Sequence, residues 1–427
     1  MKAIIDCNSF YCSCERLFQP HLDNKPVVVL SNNDGCIISR TDEAKAIGVG
    51  MAGPYFQAKP LIEKYNVATF SSNYNLYGDL SWRVMETLRM ILGEGNVEVY
   101  SVDEAFLNLD DYNDKDLYQV ALHIRKTVEQ WTGIKVSVGV APTKVLSKVA
   151  NHLAKKNKIA TQCVVVLDSK EKINEALQKT PVDEVWGIGR QNASKLKYGW
   201  NVHTAFELSK LSVEFGKKFL GGITGIRLIK ELRGEPVMAI EKELLNKTMI
   251  STTRMFGSPV KDINDIKEAI ATYTSRAAEK LRRQYSAAHT VSIFIVPKEQ
   301  SHSTYFRHGP TISSYIRLPL ATSITNELIK PAVQLVDRLY QQDAIYKKAG
   351  VMLTDIVPDT RIQGNLFLPE KKNGGRMLMK MIDNINFSQR DDILKFAASG
   401  TVKDWKMRME LRSPRYTSRW DELFEVK

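Results

Sequence analysis

An acidic pair interrupts a stretch of sequence that otherwise has the pattern of a buried β-hairpin. In YSVDEAFLNL, residues 100–109, Asp103 and Glu104 lie between alternating apolar positions that include Val97 on one side and Phe106 on the other. A two-residue hairpin turn favours Asn-Gly or Asp-Gly because its central residues need positive φ, a requirement that glutamate meets poorly. The pattern therefore predicts a hairpin whose acidic pair serves a purpose other than turning the chain.

The rest of the first half of the chain alternates between short apolar runs and amphipathic stretches. We predict strands at residues 2–7, 27–30, 36–39, 97–101, 105–109 and 135–141, and helices near residues 76–92, 115–131 and 143–156. The order strand, helix, strand, strand, helix, strand is that of a split βαβ sheet with its helices on one face. The fold class is therefore α+β, with residues 32–75 forming an insertion on the sheet.

Asp6 ends the first predicted strand and follows two apolar residues. A buried carboxylate there is costly unless it is paired or bound to a metal. If the central strands pair in the usual way, Asp6 approaches the hairpin that carries Asp103 and Glu104. Crowded carboxylates favour Mg²⁺ or Mn²⁺ over zinc, and two such ions suit in-line displacement at phosphorus. A surface acidic turn with an unrelated strand-end aspartate remains the alternative.

The net charge of +12 is distributed unevenly along the 427 residues. Residues 1–243 contain 31 Lys and Arg against 29 Asp and Glu, whereas residues 244–427 contain 29 against 19. Such a basic region is typical of proteins that contact nucleic-acid phosphates, although a solvated basic surface gives the same count.

Length and composition exclude several classes of protein. The chain is too long for one core and predicts several domains. Its five cysteines form no C-x-x-C pair, which favours free thiols over disulfides or a zinc site. No stretch approaches the ~20 apolar residues of a membrane span, and the N-terminal residues lack a secretory signal. We therefore expect a cytoplasmic protein with no membrane partner.

The stretch PVDEVWGIGRQNASKLKYGW, residues 181–200, reads as helix, glycine turn, helix. Gly187 and Gly189 would let backbone amides approach a phosphate at the start of the second helix, as in a helix-hairpin-helix element. Lys195 and Lys197 follow on that helix. We predict DNA contact here, with a plain helical hairpin as the alternative.

Three further side chains are candidates for binding a nucleotide. Tyr11 would lie in the first turn after Asp6, where its ring could block a ribose 2′-hydroxyl, although an aromatic at such a position is often part of the core. Lys155 ends the predicted helix at residues 143–156 and could reach a triphosphate. Lys45, on the inserted segment, is a similar candidate. For both lysines a solvated surface position is the alternative.

Two segments of the C-terminal part could bind partners. QGNLF, residues 363–367, places two large apolar residues in a predicted loop, which could anchor a partner or dock on its own domain. LRSPRYTSRW, residues 411–420, interleaves arginines with aromatics, a pattern compatible with nucleic acid, with protein docking, or with an ordinary basic tail.

Taken together, the motifs of this chain resemble those of one family. They are IIDCNSFYCSCE, LSNNDGCIISR, FSSNYNLYGDLSWRVM, YSVDEAFLNL, VSVGVAPTKVLSKVANHLAKK, VDEVWGIGR, ELRGEPV and LRSPRYTSRW. In this order they resemble the Y-family of translesion DNA polymerases, and more narrowly its UmuC-type branch, the catalytic subunits of bacterial DNA polymerase V. The resemblance is collinear from Met1 to Lys427.

The resemblance implies a right-hand polymerase with a ferredoxin-like palm. The implied domains are a palm at residues 1–10 and 77–168, small fingers at 11–76, a helical thumb with a helix-hairpin-helix at 169–235, a linker at 236–242, a little finger at 243–356 and a C-terminal extension at 357–427. It further implies error-prone synthesis on primer-template DNA from deoxynucleoside triphosphates in the SOS response.

The resemblance also implies roles for individual residues. Two Mg²⁺ ions, or Mn²⁺, would be held by Asp6, Asp103 and Glu104 with the carbonyl of Cys7. Tyr11 would be the steric gate against ribonucleotides, and Lys45 and Lys155 would contact the triphosphate. Many relatives carry tyrosine three residues before the Lys45 position, where this chain has Asp42.

The implied partners are a sliding clamp, a processed UmuD-type dimer and the RecA filament. Gln363, Leu366 and Phe367 would bind the clamp, although Gly364 is an unusual second residue of that motif. The tail after Pro358 would bind the other two partners. Two alternatives stay open: a template-independent, cyclase-like nucleotidyl transferase and a DNA-bound scaffold that recruits repair partners.

Overall fold

The computed structural model describes residues 1–112, 116–241, 246–298, 310–367, 374–389, 392–401 and 404–423. Its strands are β1 (Lys2–Cys7), β2 (Val27–Leu30), β3 (Ile37–Arg40), β4 (Ala68–Ser71), β5 (Val97–Val99), β6 (Glu104–Asn108), β7 (Val136–Ala141), β8 (Val164–Val166), β9 (Ile250–Val260), β10 (Ser286–Pro297), β11 (Ile312–Thr322) and β12 (Tyr346–Pro358).

The helices lie between these strands and after them. They are α1 (Phe10–Leu17), α2 (Asp42–Ala46), α3 (Tyr55–Lys64), α4 (Tyr74–Leu92), α5 (Leu117–Thr132), α6 (Lys144–Lys156), α7 (Lys158–Thr161), α8 (Lys170–Lys179), α9 (Arg190–Trp200), α10 (Ala205–Lys210), α11 (Val213–Phe219), α12 (Ile223–Leu232), α13 (Ile263–Arg283), α14 (Thr325–Leu339) and α15 (Gly374–Ser388). None of the helices in the described ranges has the length and apolar character needed to cross a bilayer.

A five-stranded sheet in the order β5-β6-β1-β7-β8 forms the palm. β1 runs antiparallel to both β6 and β7, and β8 extends the sheet parallel to β7. Alternate residues of β1, such as Ala3 and Ile5, share one core with Leu80 of α4 and Ile124 of α5. The predicted split βαβ sheet with these two helices on one face is therefore confirmed.

α6 covers the opposite face of the palm sheet, and a glycine allows its close approach. A Cβ at Gly139 of β7 would collide with the backbone of Ser147 and Asn151 on α6. Asn151 also donates its Nδ2 to the carbonyl of Ser137, at 2.8 Å. α6 therefore lies directly against β7, and the lysines along it are held near the edge of the sheet where β1 ends.

The inserted segment has a small sheet and core of its own. The sheet has the order β3-β2-β4, with β2 and β4 parallel. Its core contains Val28, Leu30 and Ile37 with Val49. The preceding helix α1 packs instead in the palm core through Phe10 and other residues, together with Val27 and Val29 of β2.

Short helices α8 to α12 form the thumb, which shares a core with α6. Glu231 of α12 is buried, and its carboxylate accepts the backbone N–H groups of Val145, at 3.2 Å, and of Val237 and Met238, both at 2.9 Å. These contacts join the end of the thumb to the start of α6. Residues 242–245, which include the end of the predicted linker and the start of the predicted little finger, lie outside the described residues.

The little finger is a four-stranded antiparallel sheet in the order β11-β10-β12-β9, packed against α13 and α14. This unit has a core of its own in the part of the chain where the resemblance implied a little finger, at residues 243–356. Its core includes one residue from far along the chain, Trp405, which stands between Phe256 and Tyr273. The C-terminal part of the chain therefore completes the little finger.

Candidate active site

Strand register places two of the predicted carboxylates side by side. Asp6 of β1 is the register partner of Glu104 at the start of β6, and on its other side it pairs with Ser137 of β7. The N–H of Cys7 donates to the carbonyl of Asp103, at 2.8 Å. The hairpin of β5 and β6 therefore brings the acidic pair to the end of β1, where the sequence analysis expected it.

Two lysines of α6 neutralise this edge of the sheet. Lys155 Nζ lies 2.5 Å from Asp6 Oδ2, and Lys148 Nζ lies 2.6 Å from Glu104 Oε1. Lys148 also stands 4.9 Å from the ring centre of Tyr100. Lys155 was predicted from the sequence, whereas Lys148 was not, although the spacing of four residues from Lys144 along α6 could have indicated it.

Burial dominates the acid–base behaviour of this carboxylate pair. Asp6 is only 7% exposed, and burial raises its pKa to about 7, against the opposing effect of Lys155. Burial also tends to raise the pKa of Glu104, but hydrogen bonding to Asp6 and the contact with Lys148 outweigh it, so that its pKa is lowered. The pair therefore holds a proton on Asp6 more readily than on Glu104.

Asp103 faces the same cleft as Asp6 but has a different partner. Its carboxylate accepts the hydroxyl of Ser101, at 2.6 Å. A cleft of about 600 Å³ is lined by Asp6, Cys7, Tyr11, Arg40, Tyr74, Asp103 and Lys155, among others. Within the described parts of the chain, no three acidic, histidine or cysteine side chains lie close enough together to form a metal-ligand group.

The donor set nevertheless fits a hard divalent cation. The carboxylates supply oxygen ligands, which Mg²⁺ and Mn²⁺ prefer. The ammonium groups of Lys148 and Lys155 stand where positive charge is favourable, each in contact with one carboxylate. A divalent ion could replace this contact at Asp6 and would favour the ionised carboxylate, whose burial otherwise favours the neutral form.

Tyr11 belongs to an aromatic group at the wall of the cleft. Its ring stacks on Tyr77, with centroids 4.6 Å apart at 19°, and meets Tyr74 edge-on at 6.1 Å. Tyr77 in turn is fully buried and donates to Glu15 Oε1, at 2.6 Å. Tyr11 is therefore held by the core from behind while its exposed side faces the cleft that contains Asp6.

The structure does not bring Lys45 to this cleft. Lys45 lies exposed on α2 and is not among the residues that line the cleft. Asp42, the residue that departs from the family pattern, forms an ion pair with Lys158 at the start of α7. The fingers and the palm are thus joined by a charged contact at this position.

The predicted helix-hairpin-helix has the expected glycine turn. Gly187 has φ of +96°, and Gly189 is the N-cap residue of α9. Lys197 pairs with Asp183 at 2.8 Å, while Lys195 is exposed. The turn also contacts the palm through Trp186, whose Nε1 donates to the hydroxyl of Tyr100, at 3.1 Å.

The two C-terminal candidate segments differ in exposure. In QGNLF, Leu366 and Phe367 are 94% and 90% exposed, and Gln363 is exposed beside them. The segment LRSPRYTSRW instead docks on the fingers and palm of its own chain, with Ser413 and Tyr416 buried. Sequence reasoning left docking open for this segment but did not identify where it docks.

Comparison with known proteins agrees with this description. Residues 5–152 match the model of the impB/mucB/samB family, residues 247–366 match the C-terminal domain of that family, and residues 376–426 match a domain of unknown function. The chain is 39% identical to the protein UmuC of Salmonella typhimurium over the full length of both, and 36% identical to ImpB of the same species over 99% of each. DNA polymerase IV 1 of Bacillus subtilis is 27% identical over 90% of this chain and 89% of its own length.

Solved structures show the same architecture. A chimera of the Y-family DNA polymerases Dbh and Dpo4 superposes with a TM-score of 0.66 at 19% identity, covering 84% of this chain and 99% of the chimera. The insertion ternary complex of Dbh DNA polymerase gives a TM-score of 0.55 over the same shares of the two chains. This fold, together with the family matches and the relatives named above, defines a Y-family DNA polymerase.

Within that class, the chain belongs to the impB/mucB/samB family, the UmuC-type branch of the translesion polymerases. Membership of this family of polymerases implies a dependence on divalent cations.

Proposed function

We propose that this translesion DNA polymerase of the SOS response joins a primer 3′-hydroxyl to an incoming deoxynucleotide at Asp6, Asp103 and Glu104. The observation that carries the proposal is the pairing of Asp6 with Glu104 across β1 and β6, with Asp103 on the same cleft. The primer oxygen forms a bond to the α-phosphorus, the bond from that phosphorus to its bridging oxygen breaks, and pyrophosphate leaves.

We further propose that the three carboxylates and the carbonyl of Cys7 hold two Mg²⁺ ions, with Mn²⁺ as a substitute. When bound, such ions activate the attacking hydroxyl and stabilise the leaving phosphate. Asp6 would hold an ion in its ionised form, and the ion would take the place that the ammonium group of Lys155 has beside this carboxylate. Lys155, which lines the same cleft, would then be available to contact the triphosphate.

The carboxylate assignment is tested by templated primer extension with Mg²⁺. Asp103→Ala should abolish extension, while Glu94→Ala, which replaces an exposed acid away from the cleft, should leave it unchanged. Extension that persists in Asp103→Ala would contradict the assigned site. Products formed without a template would favour the cyclase-like alternative, and DNA binding without any extension by the wild type would favour the scaffold.

Tyr11 is proposed as the steric gate against ribonucleotides. Its ring faces the cleft and is held from behind by Tyr77, so a ribose 2′-hydroxyl beside it would meet a rigid surface. We expect Tyr11→Ala to improve incorporation of ribonucleotides relative to deoxynucleotides by about 10- to 200-fold, the scale for a small steric difference in a tight pocket. If Tyr11→Ala and the wild type discriminate equally between ribonucleotides and deoxynucleotides, Tyr11 is not the steric gate.

Duplex binding is proposed for the thumb and the basic C-terminal part of the chain. The Gly187 and Gly189 turn would present amides to backbone phosphates, with Lys195 and Lys197 beside it. If Lys195 contacts a phosphate, Lys195→Ala should lower the slope of log affinity against log salt by about one. Lys45 is retained as a candidate for phosphate contact only if the fingers move towards the cleft.

Protein partners are proposed from the family and from exposure. Gln363, Leu366 and Phe367 would bind a sliding clamp, and the near-complete exposure of the two apolar side chains supports this. The double variant Leu366→Ala, Phe367→Ala should shorten products on clamp-loaded primers but not on free primers. Ile159→Ala, at an equally exposed apolar residue, serves as the control. A processed UmuD-type dimer and the RecA filament are proposed as further partners of the C-terminal extension.

A further inference from the structure

We propose that residues 404–423, here called the brace, fix the position of the little finger relative to the fingers and palm, and thereby preorganise the DNA-binding surface. The family match leaves this part of the chain without a function. Only the consequence for DNA rests on the proposed polymerase activity. The contacts of the brace form four successive groups along its length.

The first group joins the brace to the little finger. Trp405 is buried in the core of that domain, and its carbonyl accepts the N–H of Gly257, at 3.1 Å. A Cβ at Gly257 would collide with the carbonyl oxygen of Lys406, so the brace lies directly on β9. Arg408 Nη2 donates to the hydroxyl of Ser258, at 3.0 Å.

The second group is a junction of the brace, the little finger and the fingers. The side chain of Asn33 accepts the N–H of Arg408, at 2.8 Å, and donates its Nδ2 to the carbonyl of Phe256, at 3.0 Å. The N–H of Glu410 donates to Asp34 Oδ2, at 3.2 Å. One loop of the fingers therefore contacts both β9 and the brace.

The third group joins the brace to the end of β4 and the start of α4. Ser71 donates its N–H to the carbonyl of Leu411, at 3.0 Å, and its hydroxyl accepts the N–H of Leu411, at 2.9 Å. Asn73 Nδ2 donates to the carbonyls of Ser413 and Pro414, at 3.0 and 3.1 Å.

The brace also reaches α1 of the palm. The hydroxyl of Ser413 donates to Glu15 Oε1, at 3.0 Å, and the ring of Tyr416 stacks on Phe18 with centroids 4.6 Å apart. Glu15, Asn73 and Ser413 are all buried. Undocking the brace would leave buried polar groups without these partners, which is costly, so the docked arrangement is favoured.

None of these contact residues lines the catalytic cleft. The brace spans from the core of the little finger to the palm, and its two ends are anchored by buried side chains, Trp405 and Tyr416. A segment anchored at both ends restricts the range over which the domains can move. A surface held in its binding arrangement loses less conformational freedom when DNA binds.

The test measures the distance between fingers and little finger in the full chain without DNA. Spin labels are placed at two exposed positions through Gln57→Cys and Gln334→Cys, after Cys36→Ser and Cys163→Ser remove the other accessible thiols. In this background, we expect a single narrow distance distribution. A broad distribution in the otherwise unaltered chain would overturn the proposal.

Two variants weaken the docking of the brace, one at the start of α4 and the other at β9 of the little finger. Asn73→Asp keeps the side-chain oxygen that caps α4 at Leu76 but replaces the amino group that donates to the brace carbonyls. Gly257→Ala forces Lys406 away from β9. Each should broaden the distribution at least twofold, whereas Arg412→Ala, at an exposed side chain of the brace, should not. A distribution unchanged in both variants would overturn the proposal.

The same variants test the consequence for DNA. Asn73→Asp and Gly257→Ala should raise the dissociation constant for primer-template DNA about threefold to tenfold. An affinity equal to that of the wild type would overturn the preorganising role. The distance measurement needs no catalysis. It therefore tests whether the brace fixes the little finger even if the wild-type protein fails to extend primers.

Discussion

Asp6 and Glu15 are two buried carboxylates near the start of the chain, and their surroundings differ. Burial raises the pKa of each to about 7. Asp6 contacts a lysine ammonium group and faces an open cleft. Glu15 accepts neutral hydroxyls from Tyr77 and Ser413, and the brace covers it.

A raised pKa therefore does not by itself identify a catalytic group. The cation beside Asp6 can be exchanged for another because the cleft is open. The hydroxyls around Glu15 belong to the folded core and its brace, so they are not replaced during a reaction. The partners of a buried carboxylate, rather than its pKa, separate a catalytic position from a structural one.

The largest expected difference between the two positions is in catalysis. Asp6→Asn removes a charged ligand and should slow primer extension by about 10²- to 10³-fold, the scale for losing one preorganised electrostatic group. Glu15→Gln keeps an oxygen that can accept both hydroxyls and should extend primers at nearly the wild-type rate. Single-turnover extension measures both. A comparable loss of extension rate in the two variants would contradict the distinction between a catalytic and a structural carboxylate.

The order reverses for stability. Glu15→Leu should lower the free energy of unfolding by about 2–3 kcal/mol, because the buried hydroxyls of Tyr77 and Ser413 lose their acceptor. Asp6→Asn should change the stability of the metal-free protein by less than about 1 kcal/mol, since it removes a buried carboxylate together with its cost of desolvation. Urea unfolding followed by far-UV circular dichroism compares the two. A greater loss in Asp6→Asn would contradict this reading.

The pH dependence of stability should isolate Glu15. Its pKa in the folded protein, about 7, lies above the ordinary value of 4.5, so its contribution is fully present below about pH 4.5 and is lost as the pH rises through 7. Between pH 5 and 8 we expect the wild type to lose about 2 kcal/mol relative to Glu15→Gln. Thermal melts of both proteins across this range measure the difference. Parallel pH profiles would show that Glu15 does not titrate as expected.

The smallest effect concerns the cation beside Asp6. Lys155→Gln removes the ammonium group that competes for this carboxylate, so Mn²⁺ should bind the nucleotide-free protein several-fold more tightly. The KM for the incoming nucleotide should rise in the same variant if Lys155 contacts the triphosphate. Lys156→Gln, at the neighbouring residue that pairs with Glu184, is the control. Weaker Mn²⁺ binding in Lys155→Gln would mean that Lys155 supports the ion.

The sequence predicts the palm well because the apolar patterns that define its strands and helices are local. Residues 2–7 contain a short apolar run and form β1 as predicted, with every residue after Lys2 buried. The pairing of β1 with the hairpin follows from the usual order of a split βαβ sheet. The three-residue strand β8 was missed because so short a run resembles a loop. Orientation of a side chain, such as that of Asp103 towards Ser101, depends on rotamers that no sequence period records.

The brace was beyond sequence reasoning for another reason. Asn73 and Ser413 are 340 positions apart, and neither belongs to a periodic pattern that points to the other. Arginines and aromatics in residues 411–420 were compatible with nucleic acid, with protein docking or with an ordinary basic tail, and none of these points to Asn73. Lys45 stays a prediction, since its motif fits a phosphate contact while the structure leaves it exposed on α2 and outside the cleft lining.

The long separation between the brace and its docking surface has a consequence for protein synthesis. Ser413 is the 340th residue that the ribosome adds after Asn73. Throughout that interval Glu15 has Tyr77 but not Ser413 as a partner for its carboxylate. Translation that stops between Pro358 and Trp405 would yield a chain with all three proposed catalytic carboxylates and the strands of the little finger, but without the segment proposed to hold that domain in place.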